Sequence, residues 1–142
     1  MGARTDPSTG PVTAALPRIV GIEGTLESAS SAPDGKRAAF AARGEVFTIP
    51  ARDGEARNLT NSPAVREHSV AWSPDAKWIA CLSDASGEYE IEIRAQDGTG
   101  AVRRITTVGG PWKMPPVWSP DSRSIAFADK AQRLRVVDVA KG

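Results

Sequence analysis

His68 is the one histidine in this 142-residue chain, so any acid–base chemistry that needs an imidazole near neutral pH must use it. Serines and aspartates are abundant nearby, yet no Gly-x-Ser-x-Gly elbow accompanies them to expose a nucleophile beside the histidine. No residue is assigned a catalytic role on this pattern. His68 reads instead as a hydrogen-bonded residue just before an inner strand running from Ser69 to Ser73, with Arg66 and Glu67 ahead of it. If that strand lines a channel, Arg66, Glu67 and His68 present polar groups to whatever passes. Trp112, in Gly109-Gly110-Pro111-Trp112-Lys113-Met114-Pro115-Pro116, is the fourth contact candidate. Its loop is expected to open at a channel mouth, where the indole either meets a ligand or caps a sheet edge.

The other reactive groups carry plainer expectations. Cys81 lies within Ile79-Ala80-Cys81-Leu82, where a thiol behaves as a small buried apolar group. Asp84-Ala85-Ser86-Gly87-Glu88 brings two carboxylates close to a glycine but lacks the remaining oxygen donors of a calcium loop, and reads as a solvated hairpin. With no Cys–His cluster, phosphate-cradling glycine loop or nucleotide fingerprint, neither a metal nor any other cofactor is expected. The 18 basic and 17 acidic residues leave a net charge of +1, with no stripe that would draw nucleic acid or an anionic membrane. No run approaches the roughly 18 apolar residues of a membrane helix. Residues 1–18 mix charges, prolines and glycines where a signal peptide needs an apolar core, and read as a linker or irregular segment. A single cysteine permits no internal disulfide, which fits a reducing, cytoplasmic setting.

The elements that must hold these residues reveal themselves by repetition. Trp72-Ser73-Pro74-Asp75 recurs as Trp118-Ser119-Pro120-Asp121, with a worn copy at Ala32-Pro33-Asp34-Gly35, so that the prolines lie 41 and 46 residues apart. That spacing is the length of one four-stranded propeller blade. The residues that follow align without gaps: Ala38, Ile79 and Ile125; then Ala39, Ala80 and Ala126; then Phe40, Cys81 and Phe127. A second apolar run follows in each unit, through Val46-Phe47-Thr48-Ile49, Tyr89 to Ile93, and Leu134 to Val139. Two of the units go on to a short segment ending in Leu59-Thr60 or Ile105-Thr106.

Local chemistry explains each piece. Proline presets the second position of a type I turn, aspartate suits the third and glycine the fourth. Ala76 and Ser122 replace Gly35 in the later copies, which such a turn is expected to accept without a positive φ at that position. The strand after each turn is apolar on both faces, so sheets packed face to face are expected, with the alanine column at the closest approach. Asp53-Gly54 and Asp97-Gly98 break the chain between third and fourth strands.

The fold class expected is therefore all-β: a partial β-propeller of about three four-stranded antiparallel blades, over residues 19–60, 61–106 and 107–142. The third unit ends at Gly142, before its fourth strand. Propellers close with about four to eight blades. Either these units belong to a longer ring, or copies self-associate so that two chains supply six blades.

The string Arg57-Asn58-Leu59-Thr60-Asn61-Ser62-Pro63, followed by Ala71-Trp72-Ser73-Pro74-Asp75, Ser83-Asp84, Ser86-Gly87-Glu88-Tyr89-Glu90 and Gln96-Asp97-Gly98, resembles propeller repeats of bacterial tricorn-type proteases. The likeness covers about residues 19–142, although Ser-Pro-Asp alone is shared with TolB-like proteins and prolyl oligopeptidase relatives. The resemblance implies a non-catalytic propeller segment that guides or gates peptides towards a serine peptidase domain elsewhere, with peptides or the parent protein's other domains as partners. The catalytic serine and histidine of that family lie outside the matching region, and none is carried over. Ser31, in the tryptophan position of the first unit, departs from the pattern. The alternative is a TolB-like protein–protein interaction propeller without enzymatic activity. A channel-centred metal enzyme would need inward polar groups from several blades; Glu27, Glu67 and His68 qualify, but the third unit supplies none.

Overall fold

The computed structural model describes residues 25–107, 114–129 and 131–142. Among these residues eleven strands form three antiparallel sheets. The first contains β1 (Leu26–Ser31), β2 (Arg37–Ala42), β3 (Glu45–Pro50) and β4 (Arg57–Asn58), and the second β5 (Glu67–Trp72), β6 (Trp78–Ser83), β7 (Glu90–Ala95) and β8 (Arg103–Arg104). The third holds β9 (Val117–Trp118), β10 (Ser124–Ala128) and β11 (Leu134–Asp138). Neighbours in sequence are neighbours in each sheet, and the third sheet has three strands, with β11 at its outer edge. This is the architecture of a partial propeller.

Each Ser-Pro-Asp turn joins the first two strands of its sheet, and its hydrogen bonds recur from copy to copy. Ser73 Oγ donates to Asp75 Oδ1 at 2.6 Å and accepts the Trp78 amide at 2.9 Å. Ser119 Oγ repeats this with Asp121 at 2.6 Å and Ser124 at 3.0 Å. Asp34, Asp75 and Asp121 each take the amide two residues on, at 2.9–3.0 Å. The fourth position differs from the expectation: φ is +70° at Gly35, +65° at Ala76 and +60° at Ser122. The hairpin register demands a left-handed residue there, which suits glycine and strains the other two.

The three sheets pack face against face. Between the first and second lie Ala39, Ala41, Val46, Val70, Trp72, Ile79 and Cys81. Between the second and third lie Ala80, Leu82, Ile91, Ile93, Trp118, Ile125 and Phe127. Trp72 and Trp118, at one repeat position, thus anchor successive junctions. Two-sided burial was expected for all three post-turn strands, but only β6 has it, from Ile79 through Ser83. β10 alternates buried and half-buried residues, and Phe40 of β2 is half-buried where Cys81 and Phe127 are buried. The reason is position: among the described residues only the second sheet has a neighbour on each side.

Side chains also tie the inner strands together. Ser28 Oγ and Ser30 Oγ of β1 accept the amides of Val70 and Trp72, each at 3.0 Å, and the Trp118 indole donates to Ala71 O at 3.0 Å. Ser122 Oγ accepts the Asp75 amide at 3.0 Å, linking adjacent turns.

Replacing Ala76 with glycine should relieve its left-handed strain and raise stability by about 1 kcal/mol. Urea unfolding of the two proteins checks this; an unmoved midpoint would show that the turn's hydrogen bonds already absorb the strain.

Candidate functional site

The strand carrying the candidate residues begins earlier than expected, because β5 starts at Glu67 and includes His68. Its pairing with β6 shifts register between His68 and Ala71, and Ser69 within that bulge has φ +60°. A bulge re-aims the side chains around it. His68 Nδ1 lies 2.7 Å from Ser69 Oγ, and its ring meets Tyr89 edge-on with centroids 4.9 Å apart. Burial lowers the His68 pKa, opposed chiefly by the nearby Glu27 carboxylate. Among the described residues no hydrogen bond orients the other ring nitrogen. Serine and histidine are thus adjacent, without the third group that would make the imidazole a directed base.

Arg66 lies beside this strand at one end of the sheets. Its guanidinium pairs with Glu27 of β1, and its amide donates to Asp84 Oδ1 at 2.8 Å. One side chain therefore bridges two sheets. Around it is an open cleft of about 300 Å³ whose lining includes Glu27, Arg43, Ala64, Arg66 and Asp84. Its lining thus brings charges of both signs, Glu27 and Asp84 with Arg43 and Arg66, to one cleft.

Glu67 departs from its expected role. Consecutive residues point to opposite sides of a strand, so Arg66, Glu67 and His68 cannot all face one ligand. Glu67 is fully buried, where Oε1 accepts from Ser62 Oγ at 3.0 Å and from Arg94 at 3.3 Å. Arg94 also pairs with Glu92 at 3.4 Å, and Arg104 reaches Glu92 at 3.7 Å. Glu67 Oε2 and Arg94 Nε have no hydrogen-bond partner among the described residues. Burial pushes the Glu67 pKa up, against the pull of Ser62 and Arg94. This network escaped the sequence reading, although the alternation Glu90-Ile91-Glu92-Ile93-Arg94 signals one charged strand face.

Trp112 lies outside the described residues. Cys81 is fully buried, and burial pushes its thiol up to about 12, which leaves it protonated and unreactive near neutral pH. The Asp84–Glu88 segment forms a turn in which Gly87 N donates to Asp84 O at 2.8 Å. Among the described residues no group of three or more His, Cys, Asp or Glu is placed to hold a metal ion.

Antiparallel meanders stacked face against face define a β-propeller segment. Its sequence is similar to a tricorn-type protease homolog, and its fold to solved TolB and tricorn structures. The chain is 32% identical over 111 residues to tricorn protease homolog 2 of Streptomyces coelicolor, a match that covers 75% of this chain and 9% of the relative. A TolB-type structure from Agrobacterium tumefaciens superposes with a TM-score of 0.70 at 22% identity, covering 82% of this chain and 46% of that one. The tricorn protease crystal structure superposes with a TM-score of 0.58 at 16% identity, over 78% of this chain and 12% of that one. These two superpositions speak for the fold. No family model matches the chain.

Two measurements check the buried chemistry. Cys81 should resist thiol reagents at pH 8 in the folded chain and react at once in urea; fast native labelling would contradict its burial. Because the folded state holds the Glu67 proton to higher pH, stability is greatest near or below the ordinary glutamate value of 4.5 and declines as pH rises through the raised value. Glu67→Gln should flatten that decline and leave the chain more stable than the parent at pH 7.5, since Arg94 keeps Glu92. Urea midpoints at pH 5 and 7.5 test it.

Proposed function

We propose that this chain is a non-catalytic propeller segment of a tricorn-like serine peptidase, and that it guides or gates peptides towards a peptidase domain elsewhere in the longer protein. The observation that carries this reading is the 32% identity to a tricorn protease homolog of which the match spans 9%. The sheet faces agree with it. Phe40, Phe47 and Ile49 on one outer face, and Leu134 and Val136 on the other, are apolar surface of the kind that meets further blades. Within this reading, Arg66 and His68 at the mouth contact the peptide, while Glu67 holds the Ser62 connector beneath them.

An Arg66→Ala, His68→Ala double variant of the longer protein tests the proposal. Loss of a charged hydrogen bond weakens an interaction by about tenfold. We expect about that drop in kcat/KM on a long peptide, with turnover of a short chromogenic substrate unchanged. Equal rates on the long peptide would sink the gating role.

A further inference from the structure

His68 stands where charged side chains from separate segments converge. Glu27 comes from β1, Arg66 from the connector ahead of β5 and Asp84 from the turn after β6, and all three act on the imidazole. Tyr89, just before β7, meets the ring edge-on. Arg43, in the turn between β2 and β3, lines the same cleft as Glu27, Arg66 and Asp84. With a neutral imidazole these charges cancel, two carboxylates against two guanidiniums. A proton on His68 leaves the mouth with an excess positive charge.

The main chain around His68 is held firmly. Arg66 donates its amide to Asp84 Oδ1 at 2.8 Å and accepts the Asp84 amide at 3.2 Å, while Glu67 N donates to Gly44 O at 2.7 Å. The bulge that follows keeps Ser69 at φ +60°, a conformation that persists in a non-glycine residue only where its surroundings enforce it. It brings the Ser69 hydroxyl to 2.7 Å from Nδ1. The side-chain link between the sheets is weaker. Arg66 is 57% and Glu27 28% exposed, and an ion pair so open to solvent contributes little. Glu27 favours the imidazolium and Arg66 opposes it, so a proton on His68 is best accommodated when Glu27 turns from one cation to the other.

We propose that His68 is a proton switch for the mouth: the neutral imidazole leaves Arg66 paired with Glu27 across two sheets, and the imidazolium takes Glu27 and releases the Arg66 guanidinium. The proton comes from solvent, and the only bond made is N–H. Ser69 keeps its contact in both states, because a hydroxyl donates to a bare Nδ1 and accepts from a protonated one. Burial holds the His68 pKa below its ordinary value of 6.5, so the switch turns on the acid side of that value. The unfolded chain binds this proton more tightly, so stability falls as pH drops through 6.5 towards the lowered value. The coupling is reciprocal: whatever loosens Arg66 from Glu27 eases protonation. The switch resides in these side chains, whereas its use in admitting peptides rests on the role proposed above for Arg66 and His68.

The test is an NMR titration of the full chain between pH 8 and pH 5. The His68 ring protons give the midpoint, and the Arg66 Nη–H resonances, resolved only while the guanidinium is held, report its release. We expect the Arg66 resonances to merge with the same midpoint as His68, below 6.5. His68→Gln should abolish that change and keep Arg66 held at pH 5. Glu27→Gln should lower the His68 midpoint and leave Arg66 released throughout, whereas Arg66→Ala should raise the midpoint. Arg66 resonances that ignore the His68 titration, or that still respond in His68→Gln, would overturn the switch. If His68→Gln does not fold, Glu27→Gln decides, and an unmoved His68 midpoint there overturns it equally. Co-titration as expected, together with unchanged long-peptide turnover in the Arg66→Ala, His68→Ala variant of the longer protein, would leave the switch standing and remove the gating role alone.

Discussion

A four-stranded meander has two apolar faces and no layer of its own to cover either, and the contact between successive sheets is what supplies the cover. Ile79 and Cys81 turn towards the first sheet, while Ala80 and Leu82, between and after them on the same strand, turn towards the third. Burying each larger aliphatic side chain in this way is worth about 1.5–3 kcal/mol, so the second sheet, enclosed on both sides, gains most. Its partners gain on one face only. The alanine column matters because Ala39 and Ala80, both fully buried, let the neighbouring sheet approach closely enough for Trp72 and Trp118 to fill the space beside them.

Face-to-face packing demands a fixed register, because a one-residue slip would turn every buried side chain to the wrong face. The Ser-Pro-Asp turn sets it. In the second and third sheets the serine hydroxyl holds both the aspartate and the amide at the start of the next strand. At the far edge of the first two sheets, Thr60 Oγ1 and Thr106 Oγ1 accept the amides of Val46 and Ile91 at 3.0 and 2.8 Å and perform the same office for the outermost strand. Ser28 and Ser30 then satisfy amides of the neighbouring inner strand, so each sheet is located relative to the next by polar contacts as well as by its core.

The repeat was legible because its parts are local. A turn, an apolar strand and an Asp-Gly break each have physical causes within a few residues, and copies 41 and 46 residues apart confirm one another. The left-handed Ala76 and Ser122 were missed because the turn type constrains its two central residues, whereas the fourth is constrained by the hairpin's twist and pairing. One-sided burial of β10 was missed for a different reason: the composition of a strand states what it can bury, and the number of neighbours decides what it does bury. The mouth was partly legible. Arg66 and His68 lie near it, but the bulge at Ser69 and the inward turn of Glu67 depend on pairing with β6, which no run of adjacent residues discloses.

The Glu67 network explains how a mouth can be held rigid by residues that never reach it. Two buried carboxylates, Glu67 and Glu92, share Arg94 at 3.3 and 3.4 Å, and Arg104 reaches only Glu92, so Glu67 has no cation of its own in a desolvated place. Neutralising Glu67 leaves Arg94 to Glu92 and removes a desolvated charge, and an apolar replacement for such a buried set is often no worse than the set itself. Its value lies in direction. Glu67 accepts from Ser62 in the connector that leads out of the first sheet, and thereby fixes where that connector meets β5. Arg66, the next residue back, is then aimed across the junction at Glu27. A purely apolar plug would fill the same space but would specify neither contact, so the charge buried beneath the mouth is what sets the position of the charge exposed at it.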